Sequence, residues 1–206
     1  MDFYRCDGPD CGYVTEDPDL ECCPACGNHF FIPVEEEYIT GYGWMTLGEQ
    51  ASERGDLARA AEYFAQGAQA EYPPAQCRLG WCYEAGEGVE QSWEEAVRLY
   101  RLSADQGYAP GQCNLAWCYE AGKGVEQDQK QAVYWYSCSA DQQYPRALCN
   151  LGLCYEQGQG VERSFEKAAI LYRAAADRDY ATAQCSLGLC YETGQGVEQS
   201  WEQAVR

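Results

Sequence analysis

A sixteen-residue motif recurs four times along this chain at a constant spacing. It reads QCRLGWCYEAGEGVEQ from Gln76, and further copies begin at Gln112, Leu148 and Gln184, each 36 residues after the last. Self-similarity with a period of 20–50 residues is typical of solenoids, in which each unit buries its apolar face only against its neighbours. A chain of this kind is expected to present a binding surface rather than to enclose an active site.

Each copy contains two segments in which apolar residues recur at helical spacing. The first segment predicts a helix over 74–85 that ends at Gly86, because glycine readily adopts the left-handed conformation of a C-terminal cap. The second helix is predicted to begin at Ser92, whose hydroxyl caps the first turn, and Glu95 three residues later completes a capping box. The buried stripe of the second helix is predicted to contain Ala96, Leu99, Tyr100 and Ala104.

The repeat unit resembles the Sel-1-like repeat, a longer-looped relative of the tetratricopeptide repeat. The resemblance rests on the pattern A-x-x-x-LG-x-x-YE-x-G-x-GVEQ followed by the second helix, and it covers residues 73–206. It implies an all-α fold, a right-handed solenoid of helix–turn–helix repeats over residues 38–206. The units are predicted at 39–72 (degenerate), 73–108, 109–144, 145–180 and 181–206 (partial).

Residues 1–37 differ from the rest of the chain, since they are short of apolar residues and rich in cysteine. Two knuckles, Cys6-x₄-Cys11 and Cys23-x₂-Cys26, are each followed by a glycine that allows backbone amides to point at the sulfur. Four thiolates in two knuckles match tetrahedral Zn²⁺ or a mononuclear iron. A module below about 40 residues generally needs such a metal to fold.

This head resembles the rubredoxin-like and zinc-ribbon group. Rubredoxin-type iron sites have two residues between the cysteines of both knuckles, whereas the first gap here is four residues, which favours structural zinc over iron. Cys22 is an alternative to Cys23 as the partner of Cys26. His29 is interpreted as an exposed or packed side chain, because four thiolates already complete the ligand set.

Most of the other cysteines fall into two columns of the repeat. Because cysteines five residues apart point in different directions on a helix, we interpret these residues as reduced thiols used as small apolar side chains. The alternative is a thiol-buffering or soft-metal-binding protein that uses the first column. The two columns are Cys77, Cys113, Cys149 and Cys185, and then Cys82, Cys118, Cys154 and Cys190.

The charge and composition exclude several classes of function. The chain has 33 acidic against 14 basic residues and a net charge of −19, and its first 37 residues contain Arg5 as the single basic side chain. Binding to nucleic acid or to anionic lipid needs a basic surface. No secretory signal and no apolar run of about 20 residues is evident, which predicts a soluble, cytoplasmic protein. The single histidine leaves the repeat cysteines without a general base, so we predict no enzymatic activity.

The likeness to tetratricopeptide solenoids implies that the first helix of each pair lines a concave face. Three rows of residues are expected on this face. They are an apolar stripe (Trp81, Trp117, Leu153, Leu189), an acidic ladder (Glu84, Glu120, Glu156, Glu192) and the first cysteine column. A basic, amphipathic segment of a partner protein would suit such a groove. The alternative is that the tryptophans are packing residues and the glutamates are solvated.

The sequence thus predicts a non-enzymatic scaffold for protein–protein interaction with a structural zinc site. The alternative is an electron-transfer protein that uses iron in the four-cysteine head. Whether the ribbon caps the first repeat or forms a second binding module is left open by the sequence.

Overall fold

The computed structural model describes residues 3–8, 11–17, 20, 23–27 and 31–205. The head contains a small antiparallel sheet in the order β2-β1-β3, made of β1 (Phe3–Cys6), β2 (Val14–Thr15) and β3 (Phe31–Val34). In this register Tyr4 of the central strand pairs with Thr15 on one side and Pro33 on the other. A single 3₁₀ turn, Glu36–Tyr38, links the sheet to the helices.

The rest of the described chain is helical, as the sequence predicts. The helices are α1 (Gly41–Glu53), α2 (Leu57–Gln69), α3 (Pro73–Ala85), α4 (Trp93–Asp105), α5 (Ala109–Ala121), α6 (Gln129–Asp141), α7 (Pro145–Gln157), α8 (Phe165–Ala176), α9 (Ala181–Thr193) and α10 (Trp201–Ala204). Consecutive odd- and even-numbered helices form the hairpins of the repeat, so the expected all-α array of helix–turn–helix repeats after a small separate N-terminal module is confirmed.

The predicted helix caps are present, but the capping box is only half formed. Gly86 ends α3 with a φ of 71°, and the amide of Glu95 donates to the hydroxyl of Ser92 at 3.3 Å. The reciprocal bond is missing because the Ser92 amide donates to the carbonyl of Tyr83 at 3.0 Å, while the Glu95 carboxylate pairs with Arg98. The same amide-to-carbonyl bond closes the loops at Asp128, Ser164 and Ser200.

In three loops the second glycine, Gly88, Gly160 or Gly196, lies against the first turn of the preceding repeat's second helix. A Cβ added to Gly88 would lie 2.1 Å from the carbonyl oxygen of Leu57, and one added to Gly160 would lie 2.3 Å from that of Gln129. Both glycines also have positive φ, at 74° and 69°. Glycine is therefore needed here for two reasons, backbone conformation and close approach.

The chain divides into two compact units, residues 1–103 and 104–206. In the first unit the core gathers side chains from the head, α1, α2 and α3, among them Val14, Trp44 and Phe64. In the second unit it follows the repeat, with Tyr136 and Tyr172 fully buried. None of the described helices is long and apolar enough to cross a membrane.

Candidate metal centre and repeat surface

The four knuckle cysteines converge in the head. The Sγ atoms of Cys6, Cys11, Cys23 and Cys26 all lie within 4.8 Å of one another, although the cysteines are up to twenty positions apart in the chain. The distance between Cys6 Sγ and Cys26 Sγ is 3.4 Å, and that between Cys11 Sγ and Cys23 Sγ is 3.6 Å. Zinc–sulfur bonds of about 2.3 Å in a tetrahedron would place sulfurs about 3.8 Å apart. The donor set therefore fits a tetrahedral metal ion.

Backbone amides point at sulfurs of the cluster, as the sequence predicts for knuckles that contain glycine. Gly27 follows Cys26 with a φ of 72°, as expected for a knuckle turn. In the first knuckle the amide of Gly8 points at Cys6 Sγ at 3.3 Å, and the amide of Tyr13, which follows Gly12, donates to the sulfur of Cys11. A Cβ on Gly12 would lie 2.8 Å from the ring of Tyr42, so Gly12 also allows close packing on α1.

The protonation state of the four thiols depends on whether a metal ion is bound between them. Burial raises the pKa of Cys6, and burial raises the pKa of Cys11 to about 12. A coordinated divalent cation has the opposite effect on the pKa, because a metal-bound thiol is deprotonated outright. Two interpretations of the sequence, those of Cys22 and His29, lie outside the described residues.

The head is fixed to the first helical hairpin through strand β2. The hydroxyl of Thr46 on α1 donates to the carbonyl of Val14 at 3.2 Å, and the Gln50 side-chain amide donates to the same carbonyl at 2.8 Å. Val14 and Thr15 are almost completely buried. The head thus packs on α1 of the first hairpin, as the capping alternative predicts.

A polar cluster and an aromatic cluster extend this contact to α2. The carboxylate of Glu16 accepts a hydrogen bond from Arg59 at 2.6 Å and another from the hydroxyl of Tyr63. Burial, followed by the neighbouring Glu16, raises the pKa of Tyr63 to about 12. The ring of Phe3 lies edge-on to Trp44 at 5.8 Å, and Trp44 stacks on Tyr63 at 5.7 Å. No periodic pattern in the sequence predicts these contacts.

The residues of the predicted partner surface differ in exposure. Trp81 is 38% exposed and Leu189 is 59% exposed, whereas Trp117 and Leu153 are half-buried against the core of the second unit. The glutamates at the neighbouring positions, Glu84, Glu120 and Glu156, are half-buried, and Glu192 is exposed.

Three glutamates of the predicted acidic ladder are held by buried tyrosines. The hydroxyls of Tyr100, Tyr136 and Tyr172 donate to Glu84, Glu120 and Glu156 at 2.6, 2.6 and 2.5 Å, always sixteen residues apart. None of the ion pairs among the described residues involves these carboxylates. They are therefore fixed anions without a cationic partner there.

The first cysteine column does not line the surface, contrary to the prediction that grouped it with Trp81 and Glu84. Cys77, Cys113 and Cys149 are buried, and only Cys185 is exposed. Burial raises the pKa of Cys149 to about 11 and that of Cys154 to about 12. These thiols are protonated at neutral pH, which agrees with their interpretation as small apolar side chains and disfavours a thiol-buffering role.

Comparisons with known proteins agree on the repeat. The sequence model of the Sel1 repeat matches residues 40–72, 73–108, 109–144, 145–180 and 181–206. No protein of curated function has a sequence that matches the chain significantly.

Solved structures show the same architecture. A protective antigen of uropathogenic Escherichia coli is 32% identical with a TM-score of 0.72, over 80% of this chain and 36% of that one. A Sel1 repeat protein of Oxalobacter formigenes is 31% identical with a TM-score of 0.71, over 77% of this chain and 63% of that one. The chain thus spans less than two thirds of either protein. A Klebsiella pneumoniae repeat protein, 17% identical with a TM-score of 0.57 over 80% and 82% of the two chains, shares the fold.

Proposed function

Since this chain belongs to the Sel1 repeat family, whose members are protein-interaction scaffolds, we propose that it is a non-enzymatic adaptor. Its partner would be a basic, amphipathic protein segment, bound by the first-helix face of the repeats. In residues 104–206 this face carries Trp117, Glu120, Leu153, Glu156, Leu189 and Glu192, and we name it the repeat surface. Trp81 and Glu84 occupy the equivalent positions in residues 1–103.

The observation that carries this proposal is the pairing of Glu120 and Glu156 with Tyr136 and Tyr172. Each hydrogen bond engages one carboxylate oxygen, Oε2, and fixes the side chain, so that a bound cation would cost little ordering entropy. A tyrosine that donates a hydrogen bond leaves the charge of the carboxylate in place. The half-buried apolar side chains three positions before each glutamate, Trp117 and Leu153, supply the apolar part of the contact.

The charge of the chain supports the same partner chemistry. A net charge of −19 attracts basic segments and repels nucleic acid and anionic lipid, so we propose neither of the latter as a partner. Electrostatic attraction of this kind raises the association rate and falls as salt is added.

The test is selection of binding peptides from a phage-displayed random library on the full chain. We expect the selected peptides to combine Lys or Arg with spaced apolar residues. The double variant Glu120→Gln with Glu156→Gln keeps an acceptor for each tyrosine but removes both charges, and it should weaken these peptides about tenfold or more.

The matched control is Glu126→Gln with Glu162→Gln, which removes the same two charges from exposed positions of the second unit outside the repeat surface. It should change the affinity less than twofold. Selection of acidic peptides, or equal weakening by both double variants, would contradict the proposal.

We further propose that the four head cysteines, Cys6, Cys11, Cys23 and Cys26, hold a structural Zn²⁺ ion. The support is the tetrahedral spacing of the sulfurs and the contact between β2 and α1 that the head provides. Metal analysis and a visible spectrum of untagged, anaerobically purified protein test this. One colourless zinc per chain is expected. Iron with strong thiolate-to-metal bands would make the head a one-electron site and favour electron transfer, and absence of metal would refute the site.

A further inference from the structure

Arg78 on α3 lies between two aromatic rings in the first unit. Its guanidinium carbon is 5.4 Å from the ring centroid of Phe64 and 5.5 Å from that of Trp81. Contacts of this length are cation–π interactions, in which the cation lies over the face of each ring. The side chain is therefore held in one place, next to a tryptophan that is partly open to solvent.

The guanidinium has no anionic partner among the described residues. Other arginines of this unit do have anionic partners, since Arg54 and Arg59 pair with Glu16, and Arg98 pairs with Glu95. The Nε atom of Arg78 is sealed from solvent with no acceptor, whereas its two Nη groups remain open to solvent and likewise form no hydrogen bond in this part of the chain. In a chain with 33 acidic residues, an arginine fixed without a carboxylate is unusual.

The repeat does not need an arginine at this position. The equivalent residues of the next three units are Asn114, Asn150 and Ser186, and their helices α5, α7 and α9 have the same length as α3. The other hairpins therefore form without an arginine at this position.

We propose that the two Nη groups of Arg78, held between Phe64 and Trp81, bind a carboxylate group of a partner protein. The planar fork of an arginine matches the two oxygens of a carboxylate in a bidentate pair. Two aromatic faces and a sealed Nε reduce the hydration of the cation, which strengthens its attraction for an anion. A single guanidinium balances a single negative charge, so in a chain of charge −19 a carboxylate is favoured over a phosphate dianion.

This inference concerns a site in residues 1–103 and an acidic ligand group, and it does not depend on the repeat surface of residues 104–206. A C-terminal carboxylate and an Asp or Glu side chain offer the same chemistry. The two sources are separated by the probes.

The test is a titration of the ¹⁵N-labelled full chain, followed at the Nε–Hε resonance of Arg78. Because Nε is sealed from solvent, its proton is expected to exchange slowly and to give an observable signal. The probes are acetyl-GSGSA with a free C-terminus, the same peptide amidated, acetyl-GSESA amide, and inorganic phosphate. A saturable shift with the first or the third peptide is expected, and it identifies a terminal or a side-chain carboxylate respectively.

The variant Arg78→Lys assigns the resonance by its loss, and it should weaken the carboxylate probe about ten- to a hundredfold because the fork is gone. The control Arg98→Lys changes an arginine of the same unit that already pairs with Glu95 at 2.8 Å, and should leave the affinity unchanged. If Arg78→Lys does not fold, triple-resonance spectra of the wild type assign the Nε–Hε signal, and the wild-type titration then decides alone.

No shift with either carboxylate peptide, an equal shift with the neutral amidated peptide, or tighter binding of phosphate would overturn the proposal. The variant Glu120→Gln with Glu156→Gln should leave this titration unchanged. Failure of the repeat-surface proposal and failure of this one are therefore separate results.

Discussion

At the scale of single residues, a buried tyrosine in each of three repeats donates its hydroxyl hydrogen bond to a glutamate sixteen positions earlier. Tyr136 is completely buried, and its hydroxyl has the Glu120 carboxylate as acceptor at 2.6 Å. Burial, and then Glu120, raises the pKa of this tyrosine far above its ordinary value. The pair therefore stabilises the second unit in addition to fixing the carboxylate.

Removal of the hydroxyl should show this contribution. The change Tyr136→Phe deletes a hydrogen bond to a charged acceptor, and we expect the free energy of unfolding to fall by about 1.5–3 kcal/mol. Urea denaturation followed by circular dichroism measures the loss. The control Tyr134→Phe alters an exposed tyrosine of the same helix and should cost less than about 0.5 kcal/mol. Equal effects would show that the pair with Glu120 contributes nothing.

The buried repeat thiols predict a loss of stability in alkali. The pKa values of Cys149 and Cys154 are raised from 9.0 to about 11 and about 12, so the unfolded chain releases these protons first. The contribution of these two protonated thiols to the stability of the folded state is complete below pH 9, and it is lost as the pH rises to 11 and above. Each thiol then adds a slope of up to about 1.4 kcal/mol per pH unit to the fall in the free energy of unfolding.

The measurement is urea denaturation at pH 8, 9, 10 and 11 for the wild type and for Cys154→Ala. We expect the variant to be less stable at pH 8, because a buried thiol is lost, but to show a shallower decline above pH 9. The exposed Cys185→Ala serves as control and should keep the wild-type slope. Parallel curves for all three proteins would contradict the assignment of raised pKa values.

Single residues were predictable where the repeat supplied the signal. The cap at Gly86 and the hydroxyl cap at Ser92 follow from local chemistry, and the structure has both. The prediction of a return bond from the Ser92 amide to Glu95 was wrong, because this amide donates to the carbonyl of Tyr83 instead. Arg78 was missed, because only a fold that brings α2 beside α3 places Phe64 against it.

At the scale of elements, the loop glycines Gly88, Gly160 and Gly196 each contact the second helix of the preceding hairpin. Gly160→Ala would force a side chain into the left-handed region and place its Cβ against the carbonyl of Gln129. We expect a cost of more than about 2 kcal/mol in the free energy of unfolding, from both strain and displacement of α6. The measurement is again urea denaturation of the full chain.

Gly107 separates these two causes. It has a φ of 82°, but an added Cβ would meet nothing within 4 Å, so Gly107→Ala should cost only the backbone strain of about 1–2 kcal/mol. If the two alanine variants are equally destabilised, the close approach at Gly160 does not matter.

The contact of β2 with α1 predicts that the head and the first hairpin lose order together. Treatment with a chelator should increase amide hydrogen exchange in residues 41–69, because loss of the knuckles frees the strand that Thr46 and Gln50 hold. Residues 145–176 should keep their protection. Unchanged exchange in 41–69 after metal removal would contradict this coupling.

The change Thr46→Val tests the same contact without touching the metal. It keeps the volume of the side chain but removes the hydroxyl that bonds Val14, and it should raise exchange in the head and in α1. The sequence predicted neither the Thr46 nor the Gln50 bond to Val14, because the partners are 32 and 36 positions apart and no periodic pattern connects them.

At the scale of the whole molecule, the excess of negative charge opposes folding. A net charge of −19 on 206 residues creates self-repulsion that dissolved salt screens. We expect the Tm of the full chain to rise with sodium chloride at neutral pH, as measured by circular dichroism. A Tm that is constant or falls would indicate that ion pairs such as Arg59 with Glu16 outweigh the repulsion.

The division of the chain into repeats was predictable at this scale because a fixed period is a long and redundant signal. Leu47 and Gly48 marked a degenerate unit before the four clear copies, and the repeat family matches residues 40–72 accordingly. The seating of the ribbon was not predictable, because it depends on side chains such as Phe3, Trp44 and Tyr63 that occur once.

The ribbon that covers the first hairpin has a consequence for self-assembly. A repeat exposes at its leading side the apolar residues that another repeat can cover, and identical units that stack in this way can grow into open-ended filaments. Here Trp44 and Tyr63 of the first hairpin are already buried with β1 and β2 of the same chain. These two side chains are therefore not available to a second molecule that would stack on the first hairpin.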